Sequence, residues 1–134
     1  MQTKNARRTR GLVVGAVMLS FAGLTATPAL AEGSWTSYIS NWNLYNTSRT
    51  WSDGNTDAVG TSVRFTGCST DNVFNSATLK LWKSVTGPDE DRGNQVNTCN
   101  RVFWGDVSAG SYYFELWGIS SGTLLNVTTV KTEY

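Results

Sequence analysis

The sequence predicts an all-β fold: a small antiparallel β-sandwich, jelly-roll or immunoglobulin-like, with one disulfide. Three observations predict it. Beyond residue 33, apolar and polar residues alternate over short runs, and no 3.6-residue helical period is present. Gly, Ser, Thr and Asn are frequent and punctuate those runs with turn chemistry. The only two cysteines, Cys68 and Cys99, form an even pair.

The chain begins with a basic stretch carrying Lys4, Arg7, Arg8 and Arg10. Residues 11–24 follow without charge and include Leu12, Val13, Val14, Val17, Met18, Leu19 and Phe21. Pro28-Ala29-Leu30-Ala31 then places small residues at the two positions a signal peptidase reads. Residues 1–31 are therefore expected to be a secretory signal peptide, cleaved after Ala31. The apolar run of about 14 residues is shorter than the roughly 20 a spanning helix needs, and no later segment is apolar for as long. Arg7-Arg8 is also found in twin-arginine leaders, but the residues after it do not extend that motif, so the general export route is expected.

The remaining residues, 32–134, make a single domain's worth of chain. Strands are predicted at 34–39, 61–66, 77–85, 101–104, 111–117 and 123–134. In the second, Val63 and Phe65 share one face. In the third, Leu79 and Leu81 point inward, with Thr78, Lys80 and Trp82 opposite. In the fifth, Tyr112, Phe114 and Leu116 point inward, with Tyr113, Glu115 and Trp117 outward. The apolar phase of the last run slips between Val127 and Val130, which predicts a β-bulge near Thr128. Gly87-Pro88-Asp89, Ser108-Ala109-Gly110 and Ser120-Ser121-Gly122 are turns.

Charge narrows the partner. The whole chain carries a net +1, but four of its eleven cations lie in the leader. Seven then face ten acids, a net −3, with Lys and Arg scattered singly along the sequence. Nucleic acid, which rewards clustered cations through counterion release, is not an expected partner. Export puts Cys68 and Cys99 where oxidation is permitted. Their disulfide would close a loop of about 32 residues, worth about 3–4 kcal/mol in the chain-entropy model. A two-thiol metal site lacks support, because the chain has no His and no second cysteine pair.

Catalytic chemistry is sparse. Without His, the Ser-His-Asp arrangement is excluded. Most acids fall in turn-like segments, Asp89-Glu90-Asp91 among them, and Glu115 is an outward strand residue of the solubilising kind. The protein is expected to be no enzyme and to need no cofactor. Asp53, Asn55 and Asp57 resemble the start of a calcium loop. The pattern then fails: Ala58 stands where glycine is required and Arg64 where a bidentate glutamate is required. A polar turn is the better reading.

The aromatic residues say more. All six tryptophans lie beyond the leader, too many for a core this small. By simple alternation Trp82, Tyr113 and Trp117 fall on the polar faces of their strands, where aromatics stack on sugars or anchor protein interfaces. The segment 32–57 sets Trp35, Tyr38, Trp42, Leu44, Tyr45 and Trp51 among Ser, Thr and Asn without crisp alternation. It reads as an edge strand and long loop closing the domain. The rival reading lets Trp35, Tyr38 and Trp42 insert into a partner.

The leader resembles those of actinobacteria. Val107-Ser108-Ala109-Gly110-Ser111-Tyr112-Tyr113-Phe114 resembles the turn-then-strand segment of secreted jelly-roll and immunoglobulin-like sandwiches. In size, export signal, single cysteine pair and aromatic-rich mature N-terminus, the chain is similar to the small adaptor subunits of actinobacterial umbrella toxin particles. That resemblance implies a secreted protein that joins other proteins of an extracellular antibacterial toxin complex. It assigns no residue a role.

The expected function is thus a secreted, extracellular, non-enzymatic protein-binding module with no membrane anchor. The alternatives are a carbohydrate-binding module using Trp82, Tyr113 and Trp117, and a secreted protease inhibitor presenting residues 94–98 as a rigid loop.

Overall fold

The computed structural model describes residues 32–134; the expected signal peptide lies outside the described residues. Eight strands follow one another: β1 (Ser34–Trp42), β2 (Trp51–Asp53), β3 (Thr61–Thr70), β4 (Ala77–Ser84), β5 (Glu90–Asn97), β6 (Arg101–Gly105), β7 (Gly110–Ile119) and β8 (Leu125–Glu133). They form two four-stranded antiparallel sheets, ordered β1-β8-β3-β6 and β2-β7-β4-β5. The first half of the chain pairs with the second as β1 with β8, β2 with β7, β3 with β6 and β4 with β5. One long antiparallel ribbon is thus rolled into a sandwich. This is jelly-roll order, which decides between the two architectures the sequence allowed.

The alternating residues build the core. Val63 and Phe65 from β3, Leu79 and Leu81 from β4, Tyr112, Phe114 and Leu116 from β7, and Leu125, Val127 and Val130 from β8 are all buried between the sheets. Phe114 is the hub, with ring centroids of Trp42, Trp35 and Phe65 at 5.9, 6.2 and 6.4 Å. Tyr112 is fully buried, and its hydroxyl donates to the Ser108 carbonyl at the turn before β7. The bulge expected near Thr128 is present: Ser37 faces Val130 while Ile39 faces Val127, so β8 carries one extra residue against β1.

Two strands were not expected from the sequence. β2 has only three residues, with Trp51 and Asp53 buried. β5, Glu-Asp-Arg-Gly-Asn-Gln-Val-Asn, is an edge strand that buries almost nothing apolar, so its sequence carries no alternation. Its core-facing Asn97 is fully buried and spends its amide on the following turn. Asn97 Oδ1 accepts from the Cys99 and Asn100 N–H groups, and Nδ2 donates to the Asn100 carbonyl. Two expectations are corrected here. Residues 94–97, read as part of an inhibitory loop, are ordered in β5, and Glu90 and Asp91, read as solvated loop, begin that strand.

The disulfide joins Cys68 on β3 to Cys99 in the β5–β6 turn, with Cα atoms 5.8 Å apart. Across the sandwich, Asp71 links the β3–β4 and β7–β8 connections. It accepts from the Leu124 N–H and from the Thr123 N–H and hydroxyl, which in that order hold its pKa down at about 2. The two ends of the domain meet: Gly33 and Tyr134 exchange reciprocal backbone hydrogen bonds of 2.7 and 3.0 Å.

Candidate binding face

Trp82 and Tyr113 are direct cross-strand partners on β4 and β7, and Glu115 is paired with Lys80 one step along. These side chains stand on the outer face of the β2-β7-β4-β5 sheet, as alternation predicts. Trp117 joins them through a bulge. Thr78 faces Gly118 while Leu79 faces Leu116, leaving Trp117 as the extra residue of β7. The structure therefore brings the three predicted aromatics onto one face.

What ties them together is a polar framework that alternation alone does not reveal. The Trp82 indole N–H donates to Glu115 Oε2 at 2.6 Å. The Tyr113 hydroxyl donates to Asp89 Oδ2 at 2.7 Å. Burial, then this carboxylate neighbour, raises the Tyr113 pKa to about 12. Lys80 is only 8% exposed. Its ammonium lies 3.4 Å from the Trp117 ring centroid, 5.1 Å from that of Trp82 and 3.1 Å from Asp91 Oδ2. Two ring quadrupoles and a carboxylate thus replace the water that Lys80 gives up. Asp91 is held below the usual carboxylate range, first by the Gly93 N–H and then by Lys80. Gly93, with φ of +94°, takes the left-handed conformation at an irregularity of β5 between the Lys80–Asn94 and Trp82–Asp91 pairs.

The patch extends beyond the predicted trio. Residues 45–48 run along the free edge of β7: Tyr45 N–H donates to the Leu116 carbonyl, and Ser48 N–H to that of Phe114. Tyr45, 62% exposed, packs edge-on at 5.6 Å against Trp117, 39% exposed. Leu44 and Val96 are also exposed; Val96 faces Thr78 from β5. Tyr45, Lys80 and Glu115 are members the sequence names without assigning them to the patch, and Glu115, expected to be merely solubilising, is the acceptor of the Trp82 indole. The usable signal was the outward phase that Lys80 and Glu115 share with Trp82.

The other predicted positions behave differently. Trp35 and Trp42 turn inward from β1 and pack on Phe114. With Ile39 and Val130 they line a crevice of about 90 Å³ between the sheets. Only Tyr38 of that trio projects outward, 70% exposed. Thus the edge-strand reading describes this segment. Asp53 and Asp57 are engaged in hydrogen bonds within their own turn, Asp53 with Asn55. Asp53 is buried and accepts from the Asn55 N–H and the Thr61 hydroxyl, while Asp57 accepts from the Val59 N–H. Among the described residues, no three His, Cys, Asp or Glu side chains are grouped as metal ligands.

No protein-family model, no curated protein and no solved structure matches the chain.

Proposed function

We propose that the protein is a secreted, non-enzymatic binding module whose working surface is the outer face of the β2-β7-β4-β5 sheet and whose partner is another protein. One observation carries this reading: the exposed, packed ring pair of Tyr45 and Trp117, with Leu44 and Val96 also exposed, set on a framework of Lys80, Trp82 and Glu115. Rigid aromatics on a preorganised base are what protein hot spots use. Much of the face's polar capacity is engaged internally, the Trp82 indole by Glu115, the Tyr113 hydroxyl by Asp89 and the Lys80 ammonium by Asp91, which leaves few free groups to read sugar hydroxyls. The resemblance to toxin-particle adaptors suggests a partner from the same extracellular assembly. The disulfide is consistent with that location.

The test is affinity capture from culture fluid with the wild-type protein, Tyr45→Ala and Trp117→Ala, with partners identified by mass spectrometry. A specific protein retained by the wild type and lost with both variants is expected. Retention by all three overturns the reading. A glycan array that is positive for the wild type and blank for both variants would transfer the same face to the carbohydrate reading. For export, the secreted protein is expected to begin at Glu32 on N-terminal sequencing.

A further inference from the structure

Three cations that lie far apart in the sequence, Arg64, Arg101 and Lys131, are gathered on the opposite side of the sandwich. In the β1-β8-β3-β6 sheet, Arg64 is the direct cross-strand partner of both Lys131 and Arg101. Partners share a face, so the three stand in one row across three adjacent strands, about 4.8 Å apart from strand to strand. Glu133 is the one acid among them; it pairs with Arg101 at 2.8 Å and with Lys131. Arg64 is exposed and forms no ion pair among the described residues. The row therefore carries two surplus positive charges in a domain whose net charge is negative. Exposed rings flank it on both sides. Phe103, 56% exposed, lies beside Arg101, whose guanidinium is 5.8 Å from the ring centroid. Tyr38 stands beyond Thr36, the partner of Lys131 on β1.

We infer that this face binds an acidic polysaccharide, laid across the strands so that its carboxylates meet Arg64, Arg101 and Lys131. Guanidinium forks match carboxylate geometry, and the flanking rings suit the C–H faces of sugars. A two-charge surplus suits a polymer carrying one charge per sugar. Nucleic acid, with denser charge, would meet three cations at most and gain little from counterion release.

The experiment is titration of the disulfide-bonded protein with polygalacturonate fragments, using dextran and a single-stranded oligothymidylate as comparators. Arg64→Glu inserts an acid between two cations, so the variant is expected to fold, which circular dichroism checks. Wild-type protein is expected to bind polygalacturonate and not dextran, and more weakly as salt rises. Arg64→Glu should lose about tenfold in affinity, as expected for a charge-assisted contact, and Arg64→Lys much less. Absence of wild-type binding overturns the proposal. So does Arg64→Glu binding as the wild type does, or oligothymidylate binding as tightly as polygalacturonate.

Discussion

The ammonium of Lys80 lies 3.4 Å from the centre of the Trp117 ring, nearly buried in the middle of an outer sheet face. A lysine in that position is a structural part of the aromatic patch. Lys80→Met keeps the aliphatic stem and removes the charge, leaving Asp91 without its ion pair. A loss of about 1–2 kcal/mol is expected, the scale of a desolvated cation–π contact. Chemical denaturation measures it, and tryptophan emission should shift because Trp82 and Trp117 both flank the ammonium.

Glu115 anchors the neighbouring ring. Glu115→Ala leaves the Trp82 indole N–H without its acceptor and is expected to cost about 1–3 kcal/mol. Glu115→Gln retains a carbonyl acceptor and should recover most of that. If the two variants denature at the same midpoint, the hydrogen bond does not position Trp82.

Phe114 sits at the meeting point of Trp35, Trp42 and Phe65. Phe114→Ala should cost about 3–5 kcal/mol, because a rigid aromatic cluster collapses poorly into the cavity. The measurement is the shift in denaturation midpoint at unchanged slope.

Reduction of Cys68–Cys99, or the double substitution to serine, should cost about 3–4 kcal/mol through the freed loop. Denaturation with and without reductant tests this. The bridge ties β3 to the β5–β6 turn, so hydrogen exchange in β5 should rise more than in β7.

Asp71 contributes to the acid pH edge, with Glu32, Asp91 and Glu133 also held low, and Tyr113 to the alkaline one. Asp71 titrates below its ordinary 3.8, at about 2. Its contribution is complete above pH 3.8 and is lost as pH falls toward about 2. Tyr113 is raised from 10.0 to about 12. Its contribution is complete below pH 10 and is lost as pH rises toward about 12. Denaturation midpoints across both windows should show these losses, and Tyr113→Phe should flatten the alkaline one.

Strands that bury an alternating apolar face are legible in the sequence. Tyr112-Phe114-Leu116 and Leu79-Leu81 mark β7 and β4 directly, and the phase slip before Val130 marks the β8 bulge. β5 is not legible, because an edge strand facing the core with Asn97 has no apolar period to display. The placing of the aromatic trio on the outer face of the β2-β7-β4-β5 sheet follows from strand phase alone. The framework beneath it does not: the pairing of Lys80 with Asp91, and of Tyr113 with Asp89, depends on β5 lying beside β4. The row of Arg64, Lys131 and Arg101 is hidden for the same reason, since register decides which distant cations become neighbours.

The closure of Gly33 onto Tyr134 has a mechanical consequence. Tension applied at the two ends of the domain would act at a single point of the β1–β8 seam. The hydrogen bonds there would part in succession, as in unzipping, and would not share the load as in shear. β1 would peel away first and draw Trp35 and Trp42 out from beside Phe114. The bridge from Cys68 to Cys99 would then limit how far the remainder could be extended. A module tethered through both ends would yield gradually at small forces, whereas one held by its two sheet faces would not be loaded along that seam.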